Sequence, residues 1–187
     1  MEMIAYQKKQ VKILIDILAS LNDHDYEKIN ILSDRILEVF ANGGKLAIFG
    51  NGGSAAEASH IATEFLSKCL VDHEPLPVLC LNESTTFLTA SANDYGFENS
   101  FVRLVRAYLK PNDILIGLST SGKSKNVLKG LVEANKIGCY TILWTGDTIS
   151  TFECNEIWQV KSNITPRIQE IHLLWGHQLA EITEKKL

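Results

Sequence analysis

The stretch Leu46 to Leu66, LAIFGNGGSAAEASHIATEFL, decides how the rest of the chain is read. Four apolar residues, Leu46 to Phe49, break into Gly50-Asn51-Gly52-Gly53-Ser54 and resume as the alanine-rich run Ala55 to Leu66, a pattern of strand, glycine loop and helix. A helix start carries unpaired N–H groups and partial positive charge, so the amides around Gly52, Gly53 and Ser54 can hold a phosphate or sugar oxygens. Further along the same helix His60 and Glu64 stand four residues apart on one face, a pair able to bind a metal or move a proton. Two plainer readings compete. The loop also fits the dinucleotide fingerprint Gly50-x-Gly52-x-x-Ala55, with Glu83 after the next strand as the acid that reaches a ribose. An i,i+4 His/Glu pair taken alone is commonly a solvated contact.

Composition narrows the classes. A chain of 187 residues suits one domain, expected to run over 1–187, and is long enough to bury a substantial core. Hydrophobic content of 45%, charged content of 21% and a net charge of −4 describe a soluble globular protein without the basic excess that nucleic acid or an anionic membrane demands. No apolar run approaches the ~20 residues needed to span a bilayer. The opening MEMIAYQKKQ lacks a signal-peptide pattern, so a cytoplasmic protein is expected. Cys69, Cys80, Cys139 and Cys154 show no CxxC spacing and fall in or beside apolar segments, which predicts reduced, packed thiols.

Outward from the central stretch, apolar spacing predicts two amphipathic helices before it, Met3 to Ala19 and about Tyr26 to Ala41, the second stopped by Asn42-Gly43-Gly44. After it come a polar connection containing His73, read as solvated, and a short buried strand, Val78 to Leu81. The cluster Asn93-Asp94-Tyr95-Gly96 is read as opening a helix that runs to about Leu109. Asp113 to Leu118, the loop Ser119-Thr120-Ser121-Gly122-Lys123-Ser124 and a helix from Asn126 to Lys136 repeat the strand, polar loop, helix plan. Gly117 to Ser124 also matches G-x-x-x-x-G-K-[ST], the P-loop pattern, but the strand Tyr140 to Trp144 leads to Asp147 through Thr145-Gly146, a poor Walker-B partner. Four hydroxyls in six residues beside a helix start can grip a phosphate without a triphosphate. A last strand, Ile157 to Val160, precedes a terminal helix from about Arg167 to Glu184 in which Gln169, Glu170, His172, His177 and Gln178 interrupt an apolar surface. Alternation of this kind predicts a doubly wound, flavodoxin-like α/β fold of five parallel strands behind an N-terminal helical pair, with both polar loops at strand carboxyl ends and able to share one site.

The segments GNGGSAAEASHIATEF (Gly50 to Phe65), SANDYGFE (Ser91 to Glu98), LSTSGKSKNVL (Leu118 to Leu128) and TPRIQEIHLLWGH (Thr165 to His177) together resemble the sugar isomerase (SIS) domain family and, within it, the phosphoheptose isomerases. The resemblance covers nearly the whole chain. It implies a homotetramer with active sites at subunit contacts that converts sedoheptulose 7-phosphate to D-glycero-D-manno-heptose 7-phosphate, the first step toward nucleotide-activated heptose for bacterial surface glycans. By position, Asn51, Gly52, Gly53, Ser54, Glu64, Asn93, Asp94, Ser119, Thr120, Ser121, Ser124 and Gln169 would bind substrate, the Ser119 to Ser124 loop taking the phosphate. His60, Glu64, Gln169 and His177 match the family's zinc positions, and Glu64 and His177 its acid–base pair.

Those residue types suit the reaction. Moving a carbonyl between C2 and C1 takes a proton from carbon beside a carbonyl, which calls for a carboxylate base, a second proton carrier and a group that stabilises the enediolate oxygen. Gln169 and His177 are eight residues apart, so on one continuous helix they stand ~12 Å apart along its axis and one ion is hard to reach from both. Either Gln169 lies at an irregular helix start or the two come from neighbouring subunits; the second is expected. The pattern departs from the family at Lys123, Lys68-Cys69 and Trp144 to Asp147, none of them a matched acid, base or ligand. Rival readings are a non-catalytic SIS module that senses phosphosugars or binds the replication initiator, and a P-loop nucleotide-binding protein.

Overall fold

A computed structural model describes residues 1–148 and 151–187. In it each apolar run that alternates with a helix joins one sheet: β1 (Leu46–Gly50), β2 (Val78–Cys80), β3 (Ile114–Ser119), β4 (Tyr140–Gly146) and β5 (Glu156–Val160), all parallel in the order β2-β1-β3-β4-β5. This is the flavodoxin-like order expected. Parallel strands covered on both faces carry apolar residues at every position, and β1 and β3 are buried throughout. Alternation divides them: Leu46, Ile48, Ile114 and Ile116 face one core, Ala47, Phe49 and Leu115 the other.

The first core is closed by α2 (Asp23–Ala41), α3 (Gly53–Leu66) and α7 (Thr165–Lys186), and the second by α5 (Ser100–Tyr108) and α6 (Lys125–Ile137). The helix α1 (Glu2–Ala19) buries only Ile17 and leaves Ile4, Val11 and Ile15 more than half exposed. A reciprocal cap starts α2 three residues earlier than its apolar spacing suggests: the Asn22 side chain accepts from His24 N–H while Asp25 accepts from Asn22 N–H.

Three local readings change. Thr85 to Tyr95 forms a helix of its own, α4, because Ser84 caps it by accepting from Phe87 N–H, and Gly96, at φ 82°, ends it. Asn93 and Asp94 therefore close α4 instead of opening α5. Thr145 and Gly146 continue β4, paired with Gln159 and Val160 of β5, two residues beyond the strand end read from sequence. His73 is not solvated: its Nε2 lies 3.2 Å from Glu184 Oε1 with both side chains nearly buried. Glu184, near the end of α7, also accepts the backbone N–H groups of Cys69, Leu70 and Val71, and so ties down the connection after α3. The four cysteines are free thiols.

Helices α3 and α7 run side by side in the same direction, 115 to 117 residues out of register. Gln169 lies over Gly53, His177 faces His60 and Gly176 meets Ile61. A Cβ on Gly176 would come 2.3 Å from Ile61 Cγ1, so glycine is what lets the two axes approach this closely.

Candidate active site

Both polar loops emerge at the carboxyl ends of β1 and β3, neighbouring strands from which the chain winds off in opposite directions, and this is where ligands sit in open α/β sheets. A cavity of about 790 Å³ opens at the opposite, amino end of the sheet among Arg35, Lys110 and Tyr140. It holds neither loop, and the chemistry lies elsewhere.

The first loop turns through Asn51 and Gly52, the latter at φ 55°, so that Gly53 starts α3 with its amides facing outward. Gln169 stands against this turn: a Cβ at Gly53 would lie 2.3 Å from its Nε2. Ser54 is buried under the same turn. The second loop closes on its own hydroxyls. Ser119 Oγ donates to Ser124 Oγ at 3.0 Å, Ser121 Oγ accepts from Lys123 N–H at 3.2 Å, and Thr148 Oγ1 donates to the Ser121 carbonyl at 2.8 Å. Gly117 lies inside β3, paired with Phe49, so the loop is shorter than the P-loop reading requires. Among the described residues Lys123 makes no ion pair and is exposed.

About two and three helix turns beyond Gly53, α3 presents His60 and Glu64 toward His177 of α7. His60 Nε2 lies 2.9 Å from His177 Nε2 and 3.3 Å from Glu64 Oε1, and the three ligand atoms all fall within 4.8 Å of one another. Ligand atoms of a tetrahedral zinc stand ~3.3 Å apart, and two imidazole nitrogens with one carboxylate oxygen are a common zinc donor set. The side chains present therefore fit a divalent metal. Gln169 does not join them within the chain: α7 is regular from Thr165, which removes the irregular-start route and leaves Gln169 at the Gly53 turn.

Asn93 and Asp94 sit exposed at the end of α4, which packs chiefly on α5 and the 3-10 turn before it, and Asn93 Nδ2 donates to Asp94 Oδ1 at 2.9 Å.

Four residues at the site escape sequence reading. Asn126 pairs with Asn51, and Asn82 donates to and accepts from the Gly50 backbone, each linking loops far apart in sequence. Burial pushes the Glu57 carboxyl up to about 7 against the opposing hydrogen bond from Ser54, and its Oε2 has no partner. Burial, and then the adjacent Glu64 carboxylate, push the Cys69 thiol up to about 12. The spacing Gly53, Glu57, His60, Glu64 places Glu57 on the metal face of α3 and is the one signal that marks it in advance.

Comparison with known proteins fits this geometry. The SIS domain family matches residues 11–146. A phosphoheptose isomerase from Geotalea daltonii is 38% identical over 99% of this chain and 97% of its own length. The chain belongs to the phosphoheptose isomerase family. A further phosphoheptose isomerase, from Aquifex aeolicus, is 43% identical over 80% of each chain. Phosphoheptose isomerase structures from Francisella tularensis and Neisseria gonorrhoeae superpose with TM-scores of 0.86 and 0.79 at 28% and 30% identity, each covering 98% of this chain and 97% of its own. The dinucleotide reading falls with the strand order, and Glu83 is engaged instead by Ser59 Oγ at 2.8 Å. Among the described residues no helix is long and apolar enough to cross a membrane.

Proposed function

We propose that this chain is an aldose–ketose isomerase that converts sedoheptulose 7-phosphate to D-glycero-D-manno-heptose 7-phosphate, supplying heptose for surface glycans. The observation that carries the reading is the convergence of His60, Glu64 and His177 from two helices, one of which starts at the same carboxyl end of the sheet as the hydroxyl-lined loop. Relatives of the phosphoheptose isomerase family that match almost end to end support the substrate class.

The Ser119 to Ser124 loop binds the phosphate with Ser119, Thr120, Ser121 and Ser124, and the turn at Asn51, Gly52, Gly53 and Ser54, with Gln169 beside it, binds sugar oxygens. The Glu64 carboxylate takes the proton from C1. His177 gives a proton to the C2 oxygen and receives one from the C1 hydroxyl, and Glu64 returns its proton to C2, so the enediolate collapses to the aldose with atoms and charge balanced. His60, Glu64 and His177 would hold zinc, with Gln169 of a neighbouring subunit as a further ligand. The chemistry a bound metal would supply there is Lewis-acid polarisation of the substrate carbonyl. Asn93 and Asp94, exposed at the end of α4, contribute to substrate binding. A homotetramer is the proposed assembly, and the apolar face of α1 supports it. The proposed compartment is the cytoplasm, which suits a phosphorylated sugar that does not cross bilayers.

The test is an aldose-forming assay on sedoheptulose 7-phosphate with zinc-loaded protein, with and without chelator. Chelator-sensitive turnover is expected; no turnover in zinc-loaded protein overturns the reading.

A further inference from the structure

The two loops of the site are joined by a contact that neither the reaction nor the metal explains. Asn126, on the first turn of α6 and 2% exposed, donates from Nδ2 to Asn51 Oδ1 at 2.7 Å and accepts at Oδ1 from Asn51 Nδ2 at 2.8 Å. The two amides thus close a ring of two hydrogen bonds between residues 75 positions apart. An isolated amide pair of this kind can be turned over, since each side chain offers a donor on one branch and an acceptor on the other. Here it cannot. Asn126 Oδ1 also accepts the backbone N–H of Val127 at 3.0 Å, and only an oxygen can accept there. The first turn of α6 therefore fixes which branch of Asn126 is oxygen, and Asn126 in turn fixes which branch of Asn51 is nitrogen.

We infer that Asn126 is a positioning residue for the isomerase: through Asn51 it sets the donor and acceptor presented by the sugar loop and holds that loop at a fixed separation from the phosphate loop. The physical reason is the shape of the substrate. A phosphosugar is bound at both ends at once, and the second contact comes cheaply only if the two loops are already held at the span of the molecule. Asn51 retains one N–H and one lone pair beyond the pair with Asn126, enough to donate to one sugar oxygen and accept from another. Ser124 begins α6 and Asn126 lies two residues on, so one short segment anchors the phosphate loop and orients the sugar loop. The inference rests on the isomerase reading and on Asn51 as a substrate contact.

The test is a double-substitution cycle on the full-length protein, with Asn51→Ala, Asn126→Ala and the two combined, each assayed for KM and kcat on sedoheptulose 7-phosphate. Asn126→Ala, which removes both bonds of the ring, is expected to raise KM about tenfold, with a smaller change in kcat. In the Asn51→Ala background the second substitution should move KM less than about twofold, because its route of action is already gone. Asn126→Asp guards against misfolding: its oxygens still receive Val127 N–H and the Asn51 N–H, while the donor to Asn51 Oδ1 is lost. It should keep the unaltered melting temperature and still raise KM. A KM unmoved in both Asn126 variants, or effects that multiply in full in the double variant, overturns the inference while leaving the isomerase intact. If the unaltered protein binds the sugar without turning it over, the isomerase reading fails and calorimetric dissociation constants replace KM in the same cycle. If it neither binds nor turns over the sugar, both fall together.

Discussion

Glu64 and His177 stand 113 positions apart in the chain, yet His60 joins them in space, its Nε2 lying 2.9 Å from His177 Nε2 and 3.3 Å from Glu64 Oε1. Glu64→Gln should abolish isomerisation while leaving the circular dichroism spectrum unchanged; retained turnover removes Glu64 as the base. Ser121→Ala, which takes one hydroxyl from the phosphate loop, should raise KM more than it lowers kcat, since it removes binding common to the ground and transition states. Two buried groups make stability depend on pH in opposite senses. His172 is wholly buried among Trp144 and Trp175, near the Thr145 backbone but without an aligned hydrogen bond, and burial pushes its pKa down from 6.5 to about 4. The unfolded chain takes up that proton first, so this contribution is present above pH 6.5 and is lost as pH falls toward 4; the whole shift is worth about 3 kcal/mol. Glu57, raised to about 7, works the other way: the folded chain holds its proton longer, and stability drains as pH rises from 4.5 to 7. His172→Phe should therefore lose less melting temperature than the unaltered protein between pH 7 and 4.5. Glu57→Gln should gain melting temperature at pH 8 and little at pH 4.5. Equal pH dependence in variant and parent would refute either assignment.

The parallel pairing of α3 with α7 is the element that gathers the candidate metal ligands His60, Glu64 and His177 from far apart in the chain. Gly176 packs directly on Ile61, and the His60 to His177 contact lies beside it. Gly176→Ala should cost about 1–3 kcal/mol through overpacking and push the helices apart. The consequence is weaker zinc binding, read by competition with a chromogenic chelator. Trimming the opposing side chain in Gly176→Ala/Ile61→Val should restore part of both stability and affinity; if affinity is unchanged in the single variant, the site does not depend on this contact. The terminal helix also shows why its polar residues are scattered around it. Gln169 serves the first loop, His172 sits in the core, His177 faces α3 and Glu184 binds the backbone after α3, four different surroundings along one helix.

At the scale of the molecule, α1 stands apart: an 18-residue helix with one buried side chain exposes more apolar surface than a lone chain has reason to carry. Val11→Asp/Ile15→Asp should shift the protein to a smaller species in sedimentation velocity. If Gln169 completes the metal site of a neighbour, that smaller species should also lose activity; a monomer with full activity would exclude the shared site. Much of this was legible in the sequence because it is local or periodic. Apolar runs of strand length, glycine stops and helical spacing are properties of neighbouring residues, and they predict the five parallel strands, both loops at strand carboxyl ends and the His60/Glu64 face. Chain-wide resemblance carried the family. Where the polar residues of α4 and α7 sit was not legible, because capping and packing partners decide it: Ser84 and Gly96 turned Asn93 and Asp94 into a helix end, and Glu184 drew His73 inside. Sequence alone determined the fold class and the list of candidate groups. Only the tertiary structure decided which of them meet, since the register of α3 on α7 and the Asn51 to Asn126 bridge are long-range contacts set by a missing Cβ at Gly176 and one backbone N–H at Val127, neither of which leaves a periodic trace in the chain.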